Sequence, residues 1–250
     1  MQTPTPSLEM RHARLDAWRG TWMVWMAAFH LAFDLAHYRL IDANFYVDAL
    51  WTTQRTLILS GFLFWAGWSQ GLALAAGQSG PRFARRWLQI AGAACLVSVG
   101  SSWMFPNSWI SFGVLHAFAL LLPVLRWAGP HLPTPALVGV AALAVALPAL
   151  VQHPVFDSRW TNWVGLVTHK PITEDFVPVL PWVAPLLLGL AAARSPRCLR
   201  LMQGPLPEGG LGRLARGLAA LGRWPLSFYL LHQPVLLAAL LGGLWLWRSA

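Results

Sequence analysis

Apolar residues run through this chain in long stretches, broken by short polar or turn-forming clusters. A helix needs about 20 mostly apolar residues to cross the roughly 30 Å hydrocarbon core of a bilayer, and seven stretches approach that length: about 18–38, 52–76, 87–105, 109–128, 134–152, 177–193 and 224–247. The breaks include Gly77-Gln78-Ser79-Gly80-Pro81, Pro106-Asn107, Gly129-Pro130 and Gly204-Pro205-Leu206-Pro207, all turn-forming clusters. The pattern predicts an all-α, polytopic membrane helical bundle of about seven transmembrane helices, organised as a single domain over 1–250. A short tail covers about 1–15 and the longest outer loop about 153–176. Spans three and four lie close enough in sequence to form a tight hairpin.

Composition strengthens the membrane reading. The chain is 56% apolar and 11% charged, where a soluble domain carries about 25% charged residues. That balance excludes a disordered tail and an ordinary soluble enzyme. Two cysteines, Cys95 and Cys198, are too few for a disulfide framework or a cysteine-based zinc site. The net charge of +9 is explained by topology. With the N-terminus cytoplasmic, thirteen basic residues fall on the inner side and five (Arg39, Arg55, Arg159, Lys170, Arg248) on the outer side. Anionic lipid is the expected partner of the inner arginines, and no nucleic-acid-binding motif accompanies them. The first apolar stretch contains His30 and Asp34 and lacks a small-residue cleavage site, so it reads as a retained helix and not a signal peptide. The expected location is the inner membrane, multi-pass.

The first helix carries the candidate chemistry. At about 100° per residue, Asp16, Arg19, His30, Asp34 and His37 fall on one narrow face, with Met23 and Met26 between them. Arg19 to His37 spans about 27 Å, nearly the full hydrocarbon core, and His30 lies near its middle. A carboxylate in a membrane helix costs about 2.5–3.5 kcal/mol, so Asp34 must face the bundle interior or a water-filled cavity. Asp34 follows His30 by one turn, within reach of a hydrogen bond that would fix the imidazole tautomer and make the ring a better base. The same pair also reads as a structural bridge between helices. His116 and His232 lie inside predicted spans four and seven, as members of a shared polar cavity or as separate helix-packing groups. Nothing in the spacing supports a metal site.

Other features have two readings each. Arg82, Arg85 and Arg86 enter span three from the cytoplasm, as positive-inside anchors or, with Arg19, as ligands for the phosphates of a nucleotide-like donor. The outer loop combines Trp160 and Trp163 with Asp157, Glu174 and Asp175, a set suited to stacking on a sugar face or to lying at the membrane interface. Gly61 and Gly67 in span two predict close helix contacts.

Taken in order, several segments resemble one family. Arg14-Leu15-Asp16-Ala17-Trp18-Arg19-Gly20, then His30 and Asp34-Leu35, are similar to the opening of the heparan-α-glucosaminide N-acetyltransferase catalytic-domain family, in its short bacterial branch. Ser60-Gly61, Phe112-Gly113-Val114-Leu115-His116, Leu180-Pro181-Trp182, Leu221-Gly222-Arg223 and Ser227-Phe228-Tyr229-Leu230-Leu231-His232-Gln233-Pro234 continue the resemblance over nearly the whole chain. It implies a membrane acyltransferase that moves an acyl group from cytosolic acetyl-CoA, or another acyl-CoA, to an amine or hydroxyl of an extracytoplasmic sugar or glycolipid. It places His30 at the reaction centre. His37 is the nearest counterpart of a catalytic histidine that follows the first helix, and Asp48 resembles the acidic residue after it, so either histidine is a candidate base. The polar stripe alone also fits a small proton-coupled transporter, with the His–Asp stripe as relay, or a membrane scaffold without chemistry.

Overall fold

In the computed structural model, which describes residues 13–249, nine α-helices follow one another. They are α1 (Ala13–His37), α2 (Ala49–Ala75), α3 (Gly80–Met104), α4 (Val114–Ala128), α5 (Thr134–Leu150), α6 (Val179–Ala193), α7 (Pro196–Met202), α8 (Gly209–Gly222) and α9 (Pro225–Ser249). Among the described residues no strand forms; a single parallel bridge joins Phe112 to Phe176. Residues 1–12 of the predicted tail, with Arg11, lie outside the described residues, as does the side chain of Arg248.

Each of the seven expected stretches contains a helix. By length and apolarity alone, three described helices suffice to cross a membrane: Ala49–Ala75, Gly80–Met104 and Pro225–Trp247. A fourth candidate is the pair Val179–Ala193 and Pro196–Met202, bent by 88°. α1 is long enough, but Arg14, Asp16, Arg19 and Asp34 lower its apolarity. α4 has 15 residues and so measures about 22 Å, short of the hydrocarbon thickness. Exposed apolar side chains are dense on the long helices, including Leu88, Leu96 and Trp103 on α3 and Val235, Leu241 and Trp245 on α9. A surface of that kind suits acyl chains.

The chain divides into two compact units, residues 1–62 with 199–250, and residues 63–198. In the first unit α1 packs on α8 and α9. The α1–α8 crossing is very close because glycines form it. A Cβ on Gly20 would lie 2.0 Å from the Leu218 carbonyl oxygen, and one on Gly222 would lie 1.9 Å from that of Asp16. The start of α1 is also pinned by Arg14, whose guanidinium donates to the carbonyls of Pro205 and Leu201 at 2.9–3.1 Å. The side of α1 facing α2 carries aromatic rings: Trp22 covers Gly61, and Trp25 Nε1 donates to Gln54 Oε1 at 2.9 Å. Met26, Phe29, Phe45 and Ile58 form the buried core there. α1 ends in a Schellman turn, with Leu40 N–H bonded to the Leu35 carbonyl at 2.8 Å and Arg39 N–H to that of Ala36 at 2.9 Å.

In the second unit α3 and α4 form the expected hairpin, tied by Trp87 Nε1 donating to the Ala119 carbonyl at 2.8 Å. α5 packs along α6. Gly67 and Gly189 let α2 and α6 approach until a Cβ on either would lie 1.9 Å from the opposite carbonyl oxygen, Leu186 or Phe64. Arg194 closes the unit by donating to the Leu132 and Gly129 carbonyls, both at 2.6 Å. Cys95 and Cys198 are free thiols.

Candidate functional site

The polar face of α1 meets α9. Met23, Met26 and Asp34 on that face are buried, Asp34 to 4% exposure, so the carboxylate faces protein and not lipid. Asp34 lies one turn beyond His30 on α1, within reach of it along the helix. Both groups instead reach across to α9. His30 Nδ1 lies 2.8 Å from His232 Nε2, and both Asp34 oxygens accept from Gln233 Nε2, at 2.8 and 3.0 Å. The reason is geometric. A neighbouring helix supplies two consecutive polar side chains at the height of one turn of α1, and these satisfy both groups without bending either back along its own axis.

The partners fix the proton positions. His232 Nδ1 sits 2.8 Å from the Tyr229 carbonyl oxygen and 3.2 Å from that of Phe228. A carbonyl only accepts, so Nδ1 of His232 carries the hydrogen. With both rings neutral, His232 Nε2 then holds a lone pair, and His30 Nδ1 must donate to it. His30 Nε2 is left unprotonated, the form required of a base or nucleophile. The rings are held in place by neighbours: Phe228 stacks on His232 at 5.8 Å and 5°, and Phe29 meets His30 edge-on at 5.9 Å.

The other sequence candidates make different contacts. Asp16 and Arg19 form an ion pair at 2.8 Å on the first turns of α1. His37 is exposed on the last turn of α1, its ring stacked on Phe33 at 6.4 Å. Asp48 is exposed and accepts from the Asn44 N–H at 2.8 Å, closing a local turn before α2. Between these, a depression of about 420 Å³ at the end of α1 is lined by Ala36, Arg39, Leu40, Ile41, Asp42 and Ala43.

In the second unit, His116 has both ring nitrogens engaged. Nδ1 accepts from the Gly113 N–H at 3.2 Å, so Nε2 carries the hydrogen and faces Ser98 Oγ at 3.0 Å, which in turn donates to the Ile110 carbonyl at 2.6 Å. His116 thereby caps the start of α4, together with Asp175, whose Oδ2 accepts from the Val114 N–H at 2.8 Å. Arg82, Arg85 and Arg86 are exposed on the first turns of α3, Arg86 donating to Gln89 at 3.2 Å.

The loop between α5 and α6 is ordered by its polar residues. Thr168 gives Asp157 a hydroxyl bond at 2.7 Å and an N–H bond at 2.8 Å. These bonds, the hydroxyl foremost, hold the Asp157 carboxyl below its ordinary range, and His169 at 3.7 Å adds to the effect. Arg159 lies over the Trp109 ring, and Trp160 is 88% exposed. Among the described residues no group of three or more His, Cys, Asp or Glu is arranged to hold a metal ion.

Gln233 is the site residue that sequence reasoning passed over. It stands inside a quoted motif, yet it carries no charge and so left no mark on the stripe of ionisable groups.

Long helices with exposed apolar side chains, and in the first unit a largely buried His–His and Asp–Gln seam, fit an integral membrane protein. The sequence model of the family described as heparan-alpha-glucosaminide N-acetyltransferase, catalytic, matches residues 11–234, and the chain belongs to that family. It is therefore a membrane protein of a transferase family, and the family points to acetyl transfer. No curated protein and no solved structure matches the chain.

Proposed function

We propose that this protein transfers an acetyl or other acyl group from cytosolic acyl-CoA to the amine or hydroxyl of an extracytoplasmic sugar or glycolipid, with His30 as the reacting base. The observation that carries the reading is the His30–His232 bond, which leaves the His30 Nε2 lone pair bare within a family-matched segment.

In this reading His30 Nε2 takes a proton from the acceptor N–H or O–H. The acceptor lone pair attacks the thioester carbonyl carbon, the C–S bond breaks, and the departing thiolate receives the proton from His30, giving free CoA. While His30 holds that proton, its Nδ1–H remains bonded to His232, which spreads the positive charge toward the Tyr229 carbonyl. A route through a transient acyl-histidine uses the same Nε2 lone pair as nucleophile. Arg82, Arg85 and Arg86 supply exposed guanidinium groups for the donor's phosphates, and Arg19 is a further candidate for that role. His37 is the alternative base and Asp48 its acidic neighbour; the exposure of both favours His30. The setting is the inner membrane, multi-pass.

The test is release of free CoA by the purified protein in detergent, given acetyl-CoA and a panel of glucosamine, N-acetylglucosamine and glucose. His30→Ala should lower turnover by about 10²–10⁴, the usual worth of a positioned base. His37→Ala should leave it within about three-fold, since that ring is exposed on the last turn of α1. Full turnover in His30→Ala disproves the assignment, and solute flux in liposomes without CoA release would favour a carrier.

A further inference from the structure

Asp34 accepts two hydrogen bonds from one atom, Gln233 Nε2. With Asp34 ionised, the carboxylate only accepts, so the amide turns Nε2 toward it and Gln233 Oε1 points away from Asp34. That oxygen is buried and has no hydrogen-bond partner. A buried amide oxygen without a donor is costly, and native proteins rarely keep one unless a ligand or a mechanism uses it. Asp34 is also an expensive group to place in a membrane helix. As a bridge between helices alone, the pair is poorly made, since it buries a carboxylate and still leaves an acceptor open. As a device to aim an acceptor, it is complete: the carboxylate fixes the amide, and the amide presents Oε1.

The position fits the reaction centre. Gln233 follows His232 directly on α9, and Asp34 follows His30 by one turn on α1, so the two cross-helix bonds form adjacent rungs of one seam. We propose that Gln233 is an acceptor-positioning residue. Its Oε1 accepts an N–H or O–H of the sugar acceptor that is not the one transferred to His30, either the second N–H of an amine or a neighbouring hydroxyl. A neutral amide oxygen suits an uncharged amine or polyol, the protonation state in which the attacking lone pair is available. Asp34 acts through Gln233 and is itself a positioning residue. This proposal rests on the acyltransferase reading.

The experiment measures KM for acceptor and for acetyl-CoA separately, in Gln233→Met and in the exchange Asp34→Asn with Gln233→Glu. Methionine keeps the length and removes the acceptor oxygen, so KM for the acceptor should rise about two- to ten-fold, the usual worth of one hydrogen bond, with KM for acetyl-CoA unchanged. The exchange rebuilds the cross-helix bond with donor and acceptor reversed and keeps an oxygen at position 233, so acceptor KM should return to within about three-fold of wild type. A deoxy analogue of the acceptor, lacking the bonded hydroxyl, should lose as much as Gln233→Met on the wild type and nothing more on that variant. If Gln233→Met folds and binds acceptor normally, or if the analogue and variant losses add, the proposal is overturned while the acyltransferase reading stands. A misfolded Gln233→Met leaves the decision to the exchange, where a loss of acceptor affinity in a folded, active protein overturns the proposal. If the wild type releases no CoA with any acceptor, both fall.

Discussion

Replacing His232 with phenylalanine separates the base from the group that holds it. Phenylalanine keeps the ring volume and the stack with Phe228, and it removes only the nitrogens. The bond lost is the 2.8 Å contact from His30 Nδ1 to His232 Nε2. A hydrogen bond of this kind is worth about 0.5–1.5 kcal/mol net, and the buried donor it leaves behind costs about 1–3 kcal/mol of stability. His30 is then free to carry its proton on either nitrogen and to rotate. The base-competent tautomer loses its preference by the net bond energy, a factor of about two to ten in turnover. Turnover should therefore fall about two- to ten-fold in His232→Phe, with KM for acetyl-CoA unchanged, against a loss of about 10²–10⁴ in His30→Ala. The assay is CoA release by protein shown to be folded by gel filtration. Wild-type turnover in His232→Phe would refute the orienting role. A loss equal to that of His30→Ala would make His232, and not His30, the reacting group.

Three further outcomes follow from packing and charge. Gly20→Ala should destabilise the protein by about 1–3 kcal/mol in thermal unfolding, because its Cβ would meet the Leu218 carbonyl oxygen at 2.0 Å. Gly217→Ala, also helical but with open space where its Cβ would be, should stabilise by about 0.5–1 kcal/mol; equal effects at the two positions would contradict the α1–α8 crossing. Asp157, depressed by its bonds to Thr168, contributes loop stability that is fully present above its ordinary value of 3.8 and is lost as the pH falls below it. Protection of the Thr168 amide from hydrogen exchange should therefore drop in Asp157→Asn at neutral pH, and the same exchange in both proteins would refute the coupling.

The long apolar stretches made the helices legible because they are local signals. The limits of two helices differ from those of their apolar stretches for identifiable reasons. Gly80-Pro81 looks like turn punctuation and so placed the start of span three near 87, but proline is well suited to a first helical turn, and α3 begins there. Arg82, Arg85 and Arg86 are consequently on a helix. Residues 109–113 look like part of span four, yet Phe112 pairs with Phe176 and α4 starts at Val114. α7 and α8 are not visible in the apolar pattern, because 194–223 is rich in arginine and glycine. The signal for α8 was present: Gly212, Ala215, Ala219 and Gly222 recur at helical spacing, and Gly222 meets α1 at Asp16. The polar stripe of α1 was legible for the same reason, and the burial of Asp34 followed from its cost in lipid. Its partners were not legible. His30 and His232 are 202 residues apart, and spacing along one helix says nothing about which side chains the opposite helix brings.

The central claim is that His30 carries its proton on Nδ1 and leaves Nε2 bare. Nitrogen-15 NMR of histidine-labelled protein at neutral pH, with the His30 signals assigned from their loss in His30→Gln, reads this directly. The account predicts a protonated Nδ1 and an unprotonated Nε2 on His30, and the same pattern on His232. A protonated Nε2 on neutral His30 would contradict it.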